Sequence, residues 1–309
     1  MTPDMLHVVT CVSNPMLWKS RIALYNNFQQ HMLDSGVKLT TIECAFGERP
    51  FEIEAHPDVN LIQVRSNTLI WNKENLLNLA IARLPEDWRY VAWIDADIHF
   101  KNKDWAVDTL NALQLYDVIQ PWTHCYDLGP KGEHLTLHTS FCHIAHTKGI
   151  PPKDVNAKYG ARPFPHPGYA WAATRTTIEG CGGLLETAYL GAGDHHMALA
   201  FLGLADRSFP PKINTIYKQL VMAWEARAVR STLGNLGYIP GTIEHMWHGS
   251  KTKRQYVNRW DILISHEFNP ITHVHKNSQG VAEFSCNNPK LRLAIDKYFR
   301  ERDEDENTA

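Results

Sequence analysis

The 309-residue chain has almost no excess of either charge, with a formal net charge of −2 at pH 7. A balance so close to zero gives no overall field for nucleic acid or an anionic membrane, so any such contact must rest on a local patch. The six cysteines, Cys11, Cys44, Cys125, Cys142, Cys181 and Cys286, show no C-x-x-C spacing. That argues against a zinc or disulfide framework and for free thiols in a reducing compartment. No apolar run reaches the roughly 18 residues a spanning helix needs. The first residues, Met1-Thr2-Pro3-Asp4-Met5-Leu6-His7, lack the basic and apolar regions of a signal peptide. No internal repeat is present. These absences predict a soluble, cytoplasmic protein with no membrane partner.

A hydrophobic content of 44% over this length allows one large core or two modest ones. Leu6 to Val12, Leu39 to Ala45, Asn60 to Val64 and Tyr90 to Ile94 read as strands. Trp18 to Leu33 carries Ile22, Tyr25, Phe28 and Met32 at helical spacing, and Thr68 to Leu84 reads as a second helix stopped by Pro85. Such alternation predicts an α/β fold with a mostly parallel sheet. Further on, Trp105 to Leu115 is an expected helix, with Val118 to Trp122 and Tyr169 to Ala173 as strands. Helices are expected near Thr176 to Cys181 and from Asp194 to Leu202. Lys148 to Pro167 reads as a long surface loop, a candidate lid, and the charge run Arg300 to Glu306 as a disordered tail.

Asp95-Ala96-Asp97 follows the apolar strand Tyr90-Val91-Ala92-Trp93-Ile94. Carboxylates one residue apart on extended backbone point the same way, and in open α/β sheets ligands sit beyond the strand ends. The pair therefore suits a divalent cation bound partly through a substrate's phosphates. In Gly191-Ala192-Gly193-Asp194-His195-His196 the glycines allow close backbone approach to a ligand. Asp194 there is either a helix cap or a carboxylate facing a reacting hydroxyl. Adjacent His195 and His196 point in different directions, so at least one is structural. In His245-Met246-Trp247-His248-Gly249-Ser250-Lys251-Thr252-Lys253-Arg254, His248 is a candidate metal ligand and His245 reads as a packing histidine. Lys251 and Arg254 lie close enough to clamp a diphosphate.

Taken together, Asp95-Ala96-Asp97, Gly182-Gly183 followed by Gly193-Asp194, and the late His248 resemble the GT-A superfamily of nucleotide-sugar glycosyltransferases over residues 5–260. The resemblance implies a Rossmann-like, mostly parallel sheet flanked by helices, in a single domain with two lobes. Residues 1–120 would be the nucleotide-sugar half, 121–270 the acceptor and catalytic half, and 271–309 a C-terminal extension. It implies a Mn2+ or Mg2+ ion held by Asp97, with Asp95 on the metal or the ribose, His248 as third ligand, and Asp194 as base or acceptor anchor. The donor implied is a nucleoside-diphosphate sugar, expected to be UDP-linked. Thr10 and Asn14, at the end of the first strand, fall where such folds place the base or ribose, and Arg21 falls within reach of a phosphate. The chain departs from the family where galactosyltransferase-like members carry a more acidic run than Asp194-His195-His196.

Gly193-Asp194-His195-His196-Met197 with His248-Gly249-Ser250-Lys251 is also similar to glycosyltransferases of tailed phages, some of which decorate hydroxymethylated DNA bases. Hydroxymethylated DNA is then the first acceptor to consider, ahead of a glycan or small molecule. Trp122, Tyr126, Tyr169 and Trp171 are candidates for a stacking platform. Two other classes remain open: a nucleotidyltransferase, and a noncatalytic carbohydrate- or nucleic-acid-binding module.

Overall fold

The structure is a computed structural model describing residues 1–150, 165–250, 253, 259–285 and 288–306. Strand β1 (Leu6–Ser13) leads to α1 (Lys19–Asp34), β2 (Lys38–Phe46), β3 (Val59–Ser66), α2 (Lys73–Ile81) and β4 (Tyr90–Ile94). Next come β5 (Ile98–Phe100), α3 (Trp105–Ala112), β6 (Val118–Gln120), β7 (His124–Leu128), β8 (His134–Ser140) and α4 (Phe141–Lys148). They are followed by β9 (Pro165–His166), β10 (Ala170–Thr174), α5 (Arg175–Cys181), α6 (Gly193–Ala200) and α7 (Thr215–Thr232). The remainder is β11 (Leu236–Tyr238), β12 (Thr242–His245), α8 (Arg259–Ser265), α9 (Pro270–His273), β13 (Val274–Lys276), β14 (Ala282–Phe284) and α10 (Pro289–Glu301).

Seven strands form the main sheet in the order β11-β6-β10-β4-β1-β2-β3. Only β10 runs against its neighbours, antiparallel to both β4 and β6, and the other pairings are parallel. Side chains of β1 alternate between two cores. Val9 belongs to a cluster with Leu76 of α2 and Trp224 of α7, and Val8 to one with Phe28 of α1 and Trp105 of α3. A strand covered on both faces is mostly apolar, which is why β4 reads as an unbroken hydrophobic run and β1 as a largely apolar one. The result is a mixed α/β fold with a mostly parallel sheet flanked by helices. From β1 the chain moves outward through β2 to β3, then returns to place β4 on the other side of β1. Such a reversal opens a crevice at the carboxyl ends of β1 and β4.

A second sheet, ordered β5-β12-β7-β8-β9, lies against the end of β4. Its strand β12 pairs with β5 on one side and β7 on the other, so His245 stands opposite both Ile98 and Asp127. This sheet is not apparent in the sequence pattern.

Several boundaries differ from expectation. The helix expected from Thr68 starts at Lys73, because the Ser66 hydroxyl donates to the Thr68 carbonyl and the Thr68 hydroxyl accepts from the Phe284 amide. Hydroxyls bonding to nearby backbone compete with helix formation. The tail is the largest departure: Arg302 and Glu304 are 5% and 0% exposed rather than disordered. Of the expected lid, residues 151–164 lie outside the described residues. Cys11, Cys44, Cys125, Cys142 and Cys181 are free thiols. Burial pushes Cys11 and Cys44 up to about 12, which makes both poor nucleophiles. Among the described residues no helix is long and apolar enough to cross a membrane.

Candidate active site

The exit of β4 is held from both sides. The Thr10 hydroxyl donates to the Ile94 carbonyl at 2.7 Å, and the Asp95 amide donates to the Tyr169 carbonyl at 2.8 Å. Asp95 and Asp97 line a cleft of about 670 Å³ beyond this end of the sheet. The two aspartates have different surroundings. Asp95 Oδ1 accepts a short hydrogen bond from Lys73 Nζ, at the start of α2. Burial pushes the Asp95 carboxyl up, and the Lys73 ammonium opposes it. Burial likewise works against the charged Lys73, but Asp95, Glu74 and Asp194 outweigh it and hold the ammonium above its ordinary value. Asp95, expected on the metal or the ribose, is thus engaged by a lysine.

Asp97 faces two imidazoles. Its Oδ2 lies 3.1 Å from His248 Nε2 and 3.6 Å from His245 Nε2. The two Nε2 atoms are 3.1 Å apart, and ligand atoms of all three residues fall within 4.8 Å of one another. The donor set fits a divalent cation, and Asp97 Oδ1 is buried without a hydrogen-bond partner. A bare, buried carboxylate oxygen is costly, and a cation satisfies it. Burial alone would raise Asp97, but the charges and hydrogen bonds of His245 and His248 overcome it and hold the carboxyl well below its usual range.

His245, read from the sequence as packing, is central to this cluster. Its Nδ1 meets Asp127 Oδ1 at 2.7 Å. Asp127 Oδ2 meets His138 Nε2 at 2.6 Å, and the Tyr169 hydroxyl donates to Asp127 Oδ1 at 2.9 Å. Burial opposes ionisation of Asp127, but the hydrogen bonds of His138 and His245 outweigh it and hold the carboxyl far below its usual range. A carboxylate on one ring nitrogen directs the other at a metal and fixes the tautomer. The backbone sets the approach, since the Met246 amide donates to the Asp97 carbonyl at 2.9 Å. Tyr169 holds its place with a φ of +79°, a strained value for a bulky residue. Its ring stacks on His166 at 4.2 Å and 5°.

The start of α6 lines the same cleft. Ala192 occupies the N-cap position with φ +77° and makes no side-chain cap hydrogen bond. Asp194 is thus a first-turn residue, not the cap, and its Oδ1 accepts from the His195 amide at 2.8 Å. A Cβ on Gly193 would come within 2.3 Å of Glu74 Oε1, so only glycine lets α6 rest on that carboxylate. Burial pushes the Glu74 carboxyl up to about 7, with Lys73 opposing. His195 lines the cleft with Asp194. His196 is structural: it is buried between the hydroxyls of Ser208 at 2.6 Å and Tyr217 at 2.9 Å. Gly182 caps the C-terminus of α5.

The expected donor residues divide. Arg21 lines the cleft, where its Nε and one terminal nitrogen bind Glu304 at 2.6 and 2.8 Å. The other terminal nitrogen donates to the Ser13 carbonyl at 2.5 Å. Thr10 and Asn14 do not reach the cleft. Thr10 is engaged by Ile94, and Asn14 bridges Trp18 and Glu52, shaping the loop into α1. Polar residues at a strand end bond to backbone as readily as to ligand. Trp71, Asn72 and Lys73 do line it. Lys251 and Arg254 lie outside the described residues. Of the four aromatics proposed as a platform, Tyr169 lines the cleft. Trp122 and Trp171 are buried in the core, and Tyr126 stacks on His134 at 4.0 Å.

No protein-family model matches the chain, and no curated protein matches it in sequence. Among solved structures it is similar to Staphylococcus aureus TarS 1–349 in complex with UDP-GlcNAc, with TM-score 0.44 and 7% identity, covering 99% of this chain and 83% of that one. It is similar to a mutant Drosophila β1,4-galactosyltransferase 7 in complex with manganese, UDP-Gal and xylobiose, at TM-score 0.40 and 11% identity, covering 93% and 97%. It is also similar to 4-diphosphocytidyl-2C-methyl-D-erythritol synthase from Anaerococcus prevotii, at TM-score 0.34 and 11% identity, covering 77% and 90%. At such scores the functional reading rests on the site itself.

Proposed function

We propose that the chain is a metal-dependent glycosyltransferase of GT-A type, moving a sugar from a UDP-linked donor to an acceptor hydroxyl. The observation that carries this reading is the convergence of Asp97, His245 and His248 at the end of β4, inside the cleft. At about 670 Å³ the cleft falls within the range of small-molecule sites. A divalent cation bound there supplies positive charge against the departing diphosphate. Two imidazoles beside one carboxylate favour Mn2+ over Mg2+, which prefers oxygen. In the same cleft, Asp194 takes the acceptor's proton as that oxygen bonds to the anomeric carbon and the bond to the diphosphate breaks. Lys73 donates to Asp95, and the charges of Asp95, Glu74 and Asp194 keep its ammonium protonated.

The acceptor end is lined by Leu137, His138, His166 and Tyr169, of which the last three bring rings suited to stacking on a sugar. A duplex acceptor would draw on a strip of free cations. Of the basic residues Lys251, Lys253, Arg254 and Arg259 that could form one, Lys253 is paired with Asp303 at 2.6 Å and Glu306 at 3.2 Å, Arg259 lines the cleft, and Lys251 and Arg254 lie outside the described residues. A glycan or small-molecule hydroxyl is therefore favoured over hydroxymethylated DNA.

The test is a donor screen with Mn2+ against simple glycans, plain DNA and hydroxymethylated DNA. The expected products are free UDP and a glycosylated acceptor, and Asp97→Ala should abolish both while the fold survives. Release of pyrophosphate would instead establish nucleotidyl transfer and overturn the reading.

A further inference from the structure

Asp303-Glu304-Asp305-Glu306 is a run of four acids, and every one is engaged. Asp303 and Glu306 hold Lys253. Asp305 accepts from the Lys19 and Ser20 amides at 3.0 and 2.9 Å, capping α1, which has no side-chain cap at its own N-cap position. Glu304 takes Arg21 from one side and Arg302 from the other, the latter at 2.8 and 2.7 Å. Its Oε2 faces His248 Nδ1 at 3.7 Å. The Trp247 indole donates to the Glu306 carbonyl at 3.0 Å. The segment thus runs from α10 to both the start of α1 and the His248 loop.

We infer that Glu304 is a positioning residue for the metal centre, turning His248 as Asp127 turns His245. The inference rests on the metal reading proposed above. With Nδ1 facing the Glu304 carboxylate, the opposite nitrogen of His248 is presented to Asp97, at 3.1 Å. Partners of this outer kind orient ligands and are costly to lose. The rival is a detachable acid that holds the anion site until a diphosphate displaces it, and burial argues against that. Glu304 is fully buried. Arg302 lies 4.8 Å over the Trp71 ring, and that ring stacks on Phe299 of α10 at 6.3 Å. Withdrawing the carboxylate would leave the Arg21 and Arg302 guanidiniums, which both line the cleft, without the anion they share, a costly arrangement.

The experiment is a Mn2+ titration of the full chain without nucleotide, by electron paramagnetic resonance of the free ion, alongside thermal melts. Glu304→Gln should bind Mn2+ about 10- to 100-fold more weakly than wild type, with Glu304→Asp recovering part of the loss. Asp305→Asn, which keeps a capping side chain, should leave Mn2+ affinity unchanged. Equal Mn2+ affinity in wild type and Glu304→Gln overturns the inference. So does tighter UDP binding by Glu304→Gln, which would make the acid a competitor. Should Glu304→Gln fail to fold, hydrogen exchange in wild type decides. Reciprocal coupling requires Mn2+ to slow exchange at residues 302–306, and unchanged exchange overturns the inference. A wild-type chain that takes up no Mn2+ removes the metal reading as well, which separates the two failures.

Discussion

Replacing Asp127 by asparagine keeps the side chain's size and removes its charge. Asp127 accepts from His245, His138 and Tyr169 at 2.7, 2.6 and 2.9 Å. Asparagine offers one acceptor oxygen and an NH2 group, so one histidine loses its acceptor. If that histidine is His245, its ring is no longer held with Nε2 towards Asp97. Loss of such an outer partner costs about 10- to 100-fold in metal affinity, which is about 1.4 to 2.8 kcal/mol. Hydrogen bonds to a charged group contribute about 1.5 to 3 kcal/mol each, so the melting temperature should also fall. The decisive assay is Mn2+ titration of the folded variant by calorimetry, with transfer measured across the same Mn2+ range. The expected result is weaker Mn2+ binding and transfer that recovers at high Mn2+. A lower melting temperature with unchanged Mn2+ affinity would show that Asp127 only holds the fold, and would refute the reasoning.

Three further outcomes are expected. Asp194→Asn should lower transfer by roughly 10²-fold or more and leave the melting temperature in place, since asparagine keeps the Oδ1 that accepts from the His195 amide. Near-normal transfer would remove Asp194 from the mechanism. Glu74 has a folded-state value raised to about 7, so the native state binds more protons than the unfolded chain between about pH 4.5 and 7, and stability falls as pH rises through that window. Glu74→Gln should flatten this slope and gain up to about 3 kcal/mol over wild type at pH 8, read from urea melts; identical slopes would show the site is solvated. Ala192→Gly should add about 1 kcal/mol of stability, because alanine at φ +77° carries a steric penalty glycine lacks. Urea melts showing a loss would mean that the alanine methyl packs usefully.

The order of strands and helices through Ile94 is legible because the central strands are largely apolar and α1 carries its core residues at helical spacing. Asp97 and His248 are legible for a different reason, as a carboxylate at a strand exit and a histidine before a glycine. His245 and Asp127 are not, since their contact spans 118 residues and depends on a second sheet of short strands. One signal was available: Cys125 and Asp127 fall on the same buried face of β7, and a buried acid in a strand demands partners. The tail fails for a related reason. A charge run reads as solvated when its partners are unseen, and Arg21 lies 283 residues from Glu304. Thr10 and Asn14, expected beside the base or ribose, have their polar atoms engaged by the Ile94 and Trp18 backbone and the Glu52 carboxylate.

The double pairing of β12 also sets where this chain can tolerate changes in length. His245 is fixed opposite Ile98 on one neighbour and Asp127 on the other, and side chains along a strand alternate faces with a period of two. A single residue inserted between Gly241 and His245 would turn the imidazole to the opposite face, away from Asp97 and Asp127 at once. Inserting two would restore the face but shift it by about 7 Å along the strand, beyond reach of either partner. Designed insertions, affinity tags or domain grafts therefore belong elsewhere, at exposed turns such as Gly132 or Gly234, where a Cβ would meet nothing within 4 Å.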